Sequence, residues 1–149
     1  MTNYINYLAA IHQILMDDTT LCELVDCQIY AGVNPTQLND SFLNEPNHTC
    51  VLLQSLSKNS RGLPGVAWHE GSEHDQLIRF TVVSRSDSDT YAASVASRVE
   101  DLIKVAPSKT MNSSVYQILP SGISMRTQTM DQFPDRIFVI GEVRIKYYG

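Results

Sequence analysis

The side chains with the greatest capacity for chemistry cluster in residues 68–75, where two histidines and three carboxylates fall within eight positions. Imidazole and carboxylate groups are ligands of zinc, so a small metal-dependent hydrolase is one interpretation of this segment. However, His69 and His74 are five residues apart, whereas paired ligands on one helix face are four apart. Gly71 and Ser72 lie between them and favour a loop. The sequence therefore predicts a polar, exposed loop, with the hydrolase using His69 and His74 as an alternative.

The cysteines and serines show no pattern typical of a metal or catalytic site. Cys22 and Cys27 are separated by four residues rather than two, and no second pair follows, which argues against a zinc knuckle. With Cys50 they make an odd number, which predicts reduced, buried or incidental thiols in a reducing compartment. No Gly-x-Ser-x-Gly elbow is present to hold a serine nucleophile. We therefore predict that the protein is not an enzyme and has no catalytic residue, metal or cofactor.

Composition and charge narrow the class of protein further. The chain has 149 residues, of which 43% are hydrophobic and 18% charged, so it can bury a substantial core and is not wholly disordered. A net charge of −5, without clustered lysine and arginine, argues against direct binding of nucleic acid. The opening segment, MTNYINYLAAIHQILMDD, has no basic leader and no long apolar run, which predicts a cytosolic protein without a membrane span.

Residues 76–103 show a change of apolar period from two to about 3.6. Apolar side chains recur at every second position over 78–82, as in a strand with one buried face, and at helical spacing from Tyr91 to Ile103. The joining sequence, SRSDSD, supplies side chains that accept the free N–H groups of a helix start. The turn contains no glycine-rich segment that could bind a phosphate. This strand and helix therefore favour a scaffold or assembly protein over an enzyme.

The remaining patterns predict one α+β domain over residues 1–149, with a mostly antiparallel sheet of about five strands and two main helices packed on one face. The helices are expected at 3–16 and 89–105, and the other sheet face is left to solvent or a neighbouring molecule. Further strands are expected at 28–31, 50–56, 115–119, 123–130 and 136–147, with a bulge at Gly141. A helical turn is expected within 36–43, and long loops at 57–75 and 107–114.

These long loops are the predicted contact arms toward other subunits. Trp68 is an aromatic side chain in a loop that contains glycine and proline, where it could anchor an interface or fold back on its own domain. The predicted interface combines it with nearby polar groups and with arginines that could pair with acidic side chains of a neighbour: Arg61, Trp68, His69, Glu70, Arg126, Asp135 and Arg136. The alternative for the arginines is an ordinary solvated surface.

The order of these features resembles the tail terminator family of long-tailed bacteriophages, also described as tail completion or head-to-tail joining proteins. Four segments carry the resemblance: YINYLAAIHQIL; IYAGVNP with CVLLQSL; IRFTVVSRSDSDTYAASVASRVEDLI; and QTMDQFPDRIFVIGEVRIKYY. The long loop at 57–75, which contains Trp68, departs from the usual pattern of the family.

The resemblance implies a structural virion protein that assembles in the host cytoplasm. Members of the tail terminator family form a ring that caps the head-proximal end of the tail tube, ends tube polymerisation and joins the tail to a head connector. The resemblance implies that the ring is hexameric. The implied partners are further copies of the chain, the tail tube protein and the head connector or stopper protein, with the genome passing through the lumen unbound. Another neck or baseplate component of a phage is the alternative within the same class.

Overall fold

The computed structural model describes residues 7–44, 47–62, 72–105 and 116–148, which form three α-helices, two 3-10 turns and five strands. The helices are α1 (Tyr7–Met16), α2 (Thr19–Val25) and α3 (Asp89–Val105), and the 3-10 turns are Pro35–Gln37 and Asp40–Asn44. The strands are β1 (Ile29–Ala31), β2 (Thr49–Gly62), β3 (Ser72–Arg85), β4 (Tyr116–Met130) and β5 (Phe133–Tyr148). The α+β class is confirmed.

The five strands form one sheet in the order β1-β2-β3-β5-β4. Only β1 and β2 are parallel, and the other neighbours are antiparallel, as predicted. At mid-sheet, Leu53 lies opposite Phe80, and Phe80 lies opposite Gly141. Since side chains alternate between the faces of a strand, this register places the apolar positions of β2, β3 and β5 on a shared face.

The three helices cover that face and form the main core with it. Val95, Val99 and Ile103 of α3 are fully buried and contribute to one cluster with Phe80 and Val82 of β3. The stripe of apolar residues predicted at helical spacing is therefore the face that α3 packs against the sheet.

The opposite face is buried at one end, which corrects the prediction that only solvent or a neighbour meets it. Cys50, Leu52, Val83, Phe138 and Ile140 form a second apolar cluster there. Apolar side chains of segment 33–44 and of the β4–β5 turn pack on this cluster: Val33, Leu38, Leu43, Met130 and Phe133. A capping box at Asn34, with Pro35 at the first helical position, starts the 3-10 turn that brings this segment across the sheet.

Two predicted segments form longer strands than the sequence analysis indicated. Much of the loop expected at 57–75 is strand, because β2 continues to Gly62 and β3 begins at Ser72, while residues 63–71 lie outside the described part. The strands expected at 115–119 and 123–130 are one strand, β4, whose pairing with β5 shifts between Ile118 and Ile123. The Pro-Ser-Gly sequence thus makes an irregularity within a strand rather than a turn between two. The loop expected at 107–114 lies outside the described residues.

Gly141 is not at a bulge, which corrects a further prediction. Its pairing is regular on both sides, with Phe80 of β3 and Met125 of β4. A β-carbon placed on Gly141 would lie 2.2 Å from Cζ of Phe80, far inside contact distance. The glycine is therefore required because the buried Phe80 ring lies directly over the backbone of β5.

The prediction that all cysteines are reduced is wrong for Cys22 and Cys27, which form a disulfide. The helix α2 ends at Val25 with Asp26 as its C-cap, and both Asp26 and Cys27 have left-handed backbone conformations with φ of 53° and 56°. This turn brings the Cα atoms of the two cysteines to 4.1 Å, and the Cys27 amide donates to the Cys22 carbonyl. The turn geometry could not be read from a four-residue spacing.

Cys50 is a buried free thiol in the second apolar cluster, and burial raises its pKa to about 12 although Arg136 offsets part of the effect. We expect protein purified without reductant to give no rapid reaction with a thiol reagent when native. One thiol should react after denaturation and three after denaturation with reduction. Absorbance titration with an aromatic disulfide reagent measures these counts. Three reactive thiols in the denatured, unreduced protein would contradict the disulfide.

Candidate assembly surface

The second face of the sheet changes from apolar to charged beyond the cluster around Phe138. Arg79 of β3 lies directly opposite Glu142 of β5, and its Nη2 donates to Glu142 Oε1 at 2.7 Å. Arg126 of β4 approaches the same carboxylate oxygen, with its Nη1 at 3.8 Å. Both partners of the shorter pair keep about 30% of their side-chain surface exposed, at 30% for Arg79 and 29% for Glu142. The pair therefore meets solvent and stabilises the fold only modestly.

A further ion pair continues this surface along the strands. Arg144 Nε lies 3.6 Å from Asp75 Oδ1, and both positions share a sheet face with Arg79 and Glu142 by strand alternation. We call the surface formed by Asp75, Arg79, Arg126, Glu142 and Arg144 the charged face. Its groups already pair within the chain, so it is built to meet water or a polar partner rather than to bury an apolar one.

The sheet has two long edges to which no described residue is paired. On one side, β1 covers β2 only from Val51 to Leu53, so the outer edge of β2 is open from Gln54 to Gly62 within the described part of the chain. On the other side, β4 is paired only with β5, and its residues Met125–Thr129 are all exposed. Unpaired backbone N–H and C=O groups along such edges are available to another strand.

Exposed large apolar side chains occur on these same edge strands. Among the described residues they are Tyr30 of β1, Leu56 of β2 and Met125 of β4, with 41%, 40% and 40% of their surface exposed. Leu56 sits at the point where the β2–β3 register shifts, between Ser55 and Ser57. All three lie on strands near the edges of the sheet, β1 and β2 on one side and β4 on the other.

The predicted interface residues fall into separate places. Trp68, His69 and Glu70 lie outside the described residues, so the role predicted for their loop is not tested. Arg61 is in β2, opposite Glu73 of β3. Their participation in an interface stays a prediction.

The predicted interface residues near the β4–β5 turn also have different environments. Arg126 is on β4 in the charged face, and Asp135 is an exposed residue whose carbonyl accepts from the Ser86 amide. Arg136 is 2% exposed, which departs from the expectation of a surface arginine. Its guanidinium carbon lies 4.3 Å from the centre of the Phe133 ring, and its Nη2 donates to the Leu38 carbonyl at 3.3 Å. Within one chain, Arg136 therefore holds segment 33–44 against the sheet.

The helix layer contains a polar contact between α2 and α3 that was not predicted from the sequence. Asp18 accepts from the Leu21 amide at 2.8 Å as the N-cap of α2. The same carboxylate accepts two bonds from Arg98 of α3, at 2.7 and 3.0 Å, and this raises the pKa of Arg98. The Tyr91 hydroxyl of α3 donates to the Leu24 carbonyl of α2. These contacts fix α2 against α3 and hold the helix layer in place over the sheet.

The described residues contain no group of three or more histidine, cysteine or acidic side chains placed to hold a metal ion. None of the helices described is both long enough and apolar enough to span a bilayer.

This chain is similar to known proteins in its structure and has no match by sequence. No family model matches the sequence, and no curated protein matches it. A solved structure described as the virion of a native gene transfer agent (GTA) particle contains a chain of similar fold, with a TM-score of 0.66 and 20% sequence identity. The similarity covers 95% of this chain and 94% of that chain. At this identity the match shows that the two chains share a fold.

Proposed function

We propose that this chain is a structural, non-enzymatic protein of a phage-like virion, and that it forms a single tail-terminator-like domain. In this role it caps the head-proximal end of the tail tube as a ring, stops tube polymerisation and joins the tail to the head connector. Further copies of the chain, the tube protein and the connector are its partners, and the expected ring is hexameric.

The observation that carries the proposal is the fold similarity to a chain of a virion particle, which extends over nearly the full length of both chains. The segments that resemble tail terminators in sequence correspond to α1, to β1 with β2, to β3 with α3, and to β4 with β5.

The surface chemistry supports an assembly role. The open edges of β2 and β4 and the apolar side chains on them suit contacts with protein. The net charge of −5 suits a lumen through which a nucleic acid passes without adhering, since like charges repel. A subunit that closes into a ring satisfies each interface without unlimited growth.

Two observations test this proposal: where the chain lies in the particle, and what happens to particles that lack it. We expect gold-labelled antibody to mark the junction of head and tail in electron micrographs. Particles made without the chain should separate into filled heads and tail tubes of unregulated length, and supply of the intact chain should restore joining.

Other results would indicate a different role in the virion or contradict the proposal. Label at the distal end of the tail would indicate a baseplate component. Particles that lack the chain and remain joined, with tubes of normal length, would contradict the terminator role. A control deletion of the tube protein should remove tails altogether, which differs from the expected overgrown tubes.

A further inference from the structure

We propose that copies of this chain join through their sheets, with the outer edge of β4 in one copy pairing antiparallel with the outer edge of β2, from Gln54 to Gly62, in the next. This inference deepens the proposed function, because it rests on that function for closure into a ring. It assigns the contact between neighbours to the two open edges rather than to the loop that contains Trp68.

Both edges are long enough to take another strand. Beyond its contact with β1, β2 presents nine residues from Gln54 to Gly62, about 30 Å of extended backbone. The strand β4 has 15 residues, and the part from Ile123 to Gln128 is regularly paired with β5 on its inner side. Each edge therefore offers a stretch of ordered backbone long enough to add a strand.

The strand directions favour this pairing over the symmetric alternatives. Since β2, β3, β5 and β4 alternate in direction across the sheet, β4 runs opposite to β2. When a second copy is placed beside the first in the same orientation, its β2 lies antiparallel to β4 and the alternation continues. Pairing of β4 with β4 would instead need a two-fold axis, which produces a closed dimer and leaves both β2 edges open.

The side chains at the edges agree with a head-to-tail contact. Leu56 on β2 and Met125 on β4 are each 40% exposed, and both lie on the strands that would meet. The charged residues on the two edges are few: Arg126 in residues 125–129 of β4, and Lys58 and Arg61 in residues 54–62 of β2. The helices lie on one sheet face in every copy, so they stay clear of the contact.

The experiment uses two variants of the full chain, each with lysines at one edge, because lysine on an edge strand opposes strand addition. The β4-edge variant carries Met125→Lys with Thr127→Lys, and the β2-edge variant carries Leu56→Lys with Ser57→Lys. A matched control with the same charge change carries Ala93→Lys and Ser97→Lys on the exposed side of α3. Circular dichroism and thermal unfolding check that each variant is folded, and sedimentation velocity reports the assembly.

We expect the wild-type chain and the α3 control to form the same oligomer. Each edge variant alone should be a monomer, because it lacks one of the two edges that a head-to-tail contact needs. An equimolar mixture should form a one-to-one dimer and grow no further, since the intact β2 edge of one variant meets the intact β4 edge of the other. An edge variant that fails to fold alone is replaced by its single substitution, Met125→Lys or Leu56→Lys.

Several results would overturn the inference. A β2-edge variant that dimerises by itself would indicate β4–β4 pairing, and edge variants that assemble like the wild type would place the contact elsewhere. The second outcome, together with a ring seen for the wild type, leaves the proposed function standing. A wild-type chain that remains monomeric at the highest soluble concentration would count against the contact, while label at the head–tail junction would still support the function.

Discussion

Replacement of Gly141 with alanine should lower the free energy of unfolding by about 3 kcal/mol, because overpacking a rigid core forces buried groups to move. The added β-carbon would lie 2.2 Å from Cζ and 2.4 Å from Cε1 of Phe80. Phe80 is fully buried beneath the helices, so its ring cannot swing into solvent to make room. Urea denaturation followed by circular dichroism measures the loss.

A double-mutant cycle separates this clash from other effects of alanine in a strand. Phe80→Leu removes the ring atoms that meet the new methyl group, so the double variant should lose at least about 1 kcal/mol less than the sum of the single losses. Gly32→Ala is a matched control, because Gly32 has φ of +79° and nothing within 4 Å of its β-carbon position. Its cost arises from backbone strain and should be unchanged by Phe80→Leu. Additive losses for Gly141→Ala and Phe80→Leu would contradict the proposed steric cause.

Replacement of Asp18 with alanine should lower the free energy of unfolding by about 2–3 kcal/mol, because one side chain serves two elements. It caps α2 through the Leu21 amide and accepts two charge-assisted bonds from Arg98 of α3. Asp18 is largely shielded, with 15% of its side chain exposed, whereas Arg98 is 36% exposed. The ion pair is therefore partly screened, and the cap supplies a substantial share of the loss.

Asp18→Asn divides the two contributions. Asparagine remains a good N-cap but lacks the charge, so this variant should lose about 1 kcal/mol, mainly from the contact with Arg98. Arg98→Ala should cost a similar amount, and combining it with Asp18→Asn should add little. Urea denaturation at low and high salt measures these values. If Asp18→Asn is as destabilising as Asp18→Ala, the cap does not contribute as described.

The helices and most strands were predictable because their apolar residues follow one period over many positions. Val95, Val99 and Ile103 recur at helical spacing, and Ile78, Phe80 and Val82 alternate, so each pattern could be assigned before any contact was known. The class of fold and the helical cover on one face follow from these patterns. These patterns do not show which strands pair with each other.

The features that were missed depend on contacts between distant residues. Val33, Leu38 and Leu43 are spaced at five residues, which matches neither a helix nor a strand, so their packing on the second face had no periodic signal. Arg136 looks like a surface arginine in a strand of alternating polarity, and only the approach of Leu38 and Phe133 buries it. The polar residues of 57–62 resemble a loop in sequence, yet pairing with β3 extends them.

The prediction of the assembly surface was limited for the same reason. Arg126 was predicted as an interface residue from its residue type, but its contact with Glu142 depends on the β4–β5 register. The open edges of β2 and β4 follow from the strand order, which a single sequence does not contain. Leu56 and Met125 can be recognised as exposed apolar residues of edge strands only once the strand order is known.

Burial on both faces at one end of the sheet divides the molecule into a stiff half and a compliant half. Residues 50–53 and 137–140 lie between two apolar layers, while residues 55–57 of β2, further along the sheet, are exposed. Because only the helix-covered face is packed in the compliant half, twist and curvature change there at a lower energetic cost than in the stiff half. A subunit of this kind tolerates small differences in the circumference of the structure on which it sits.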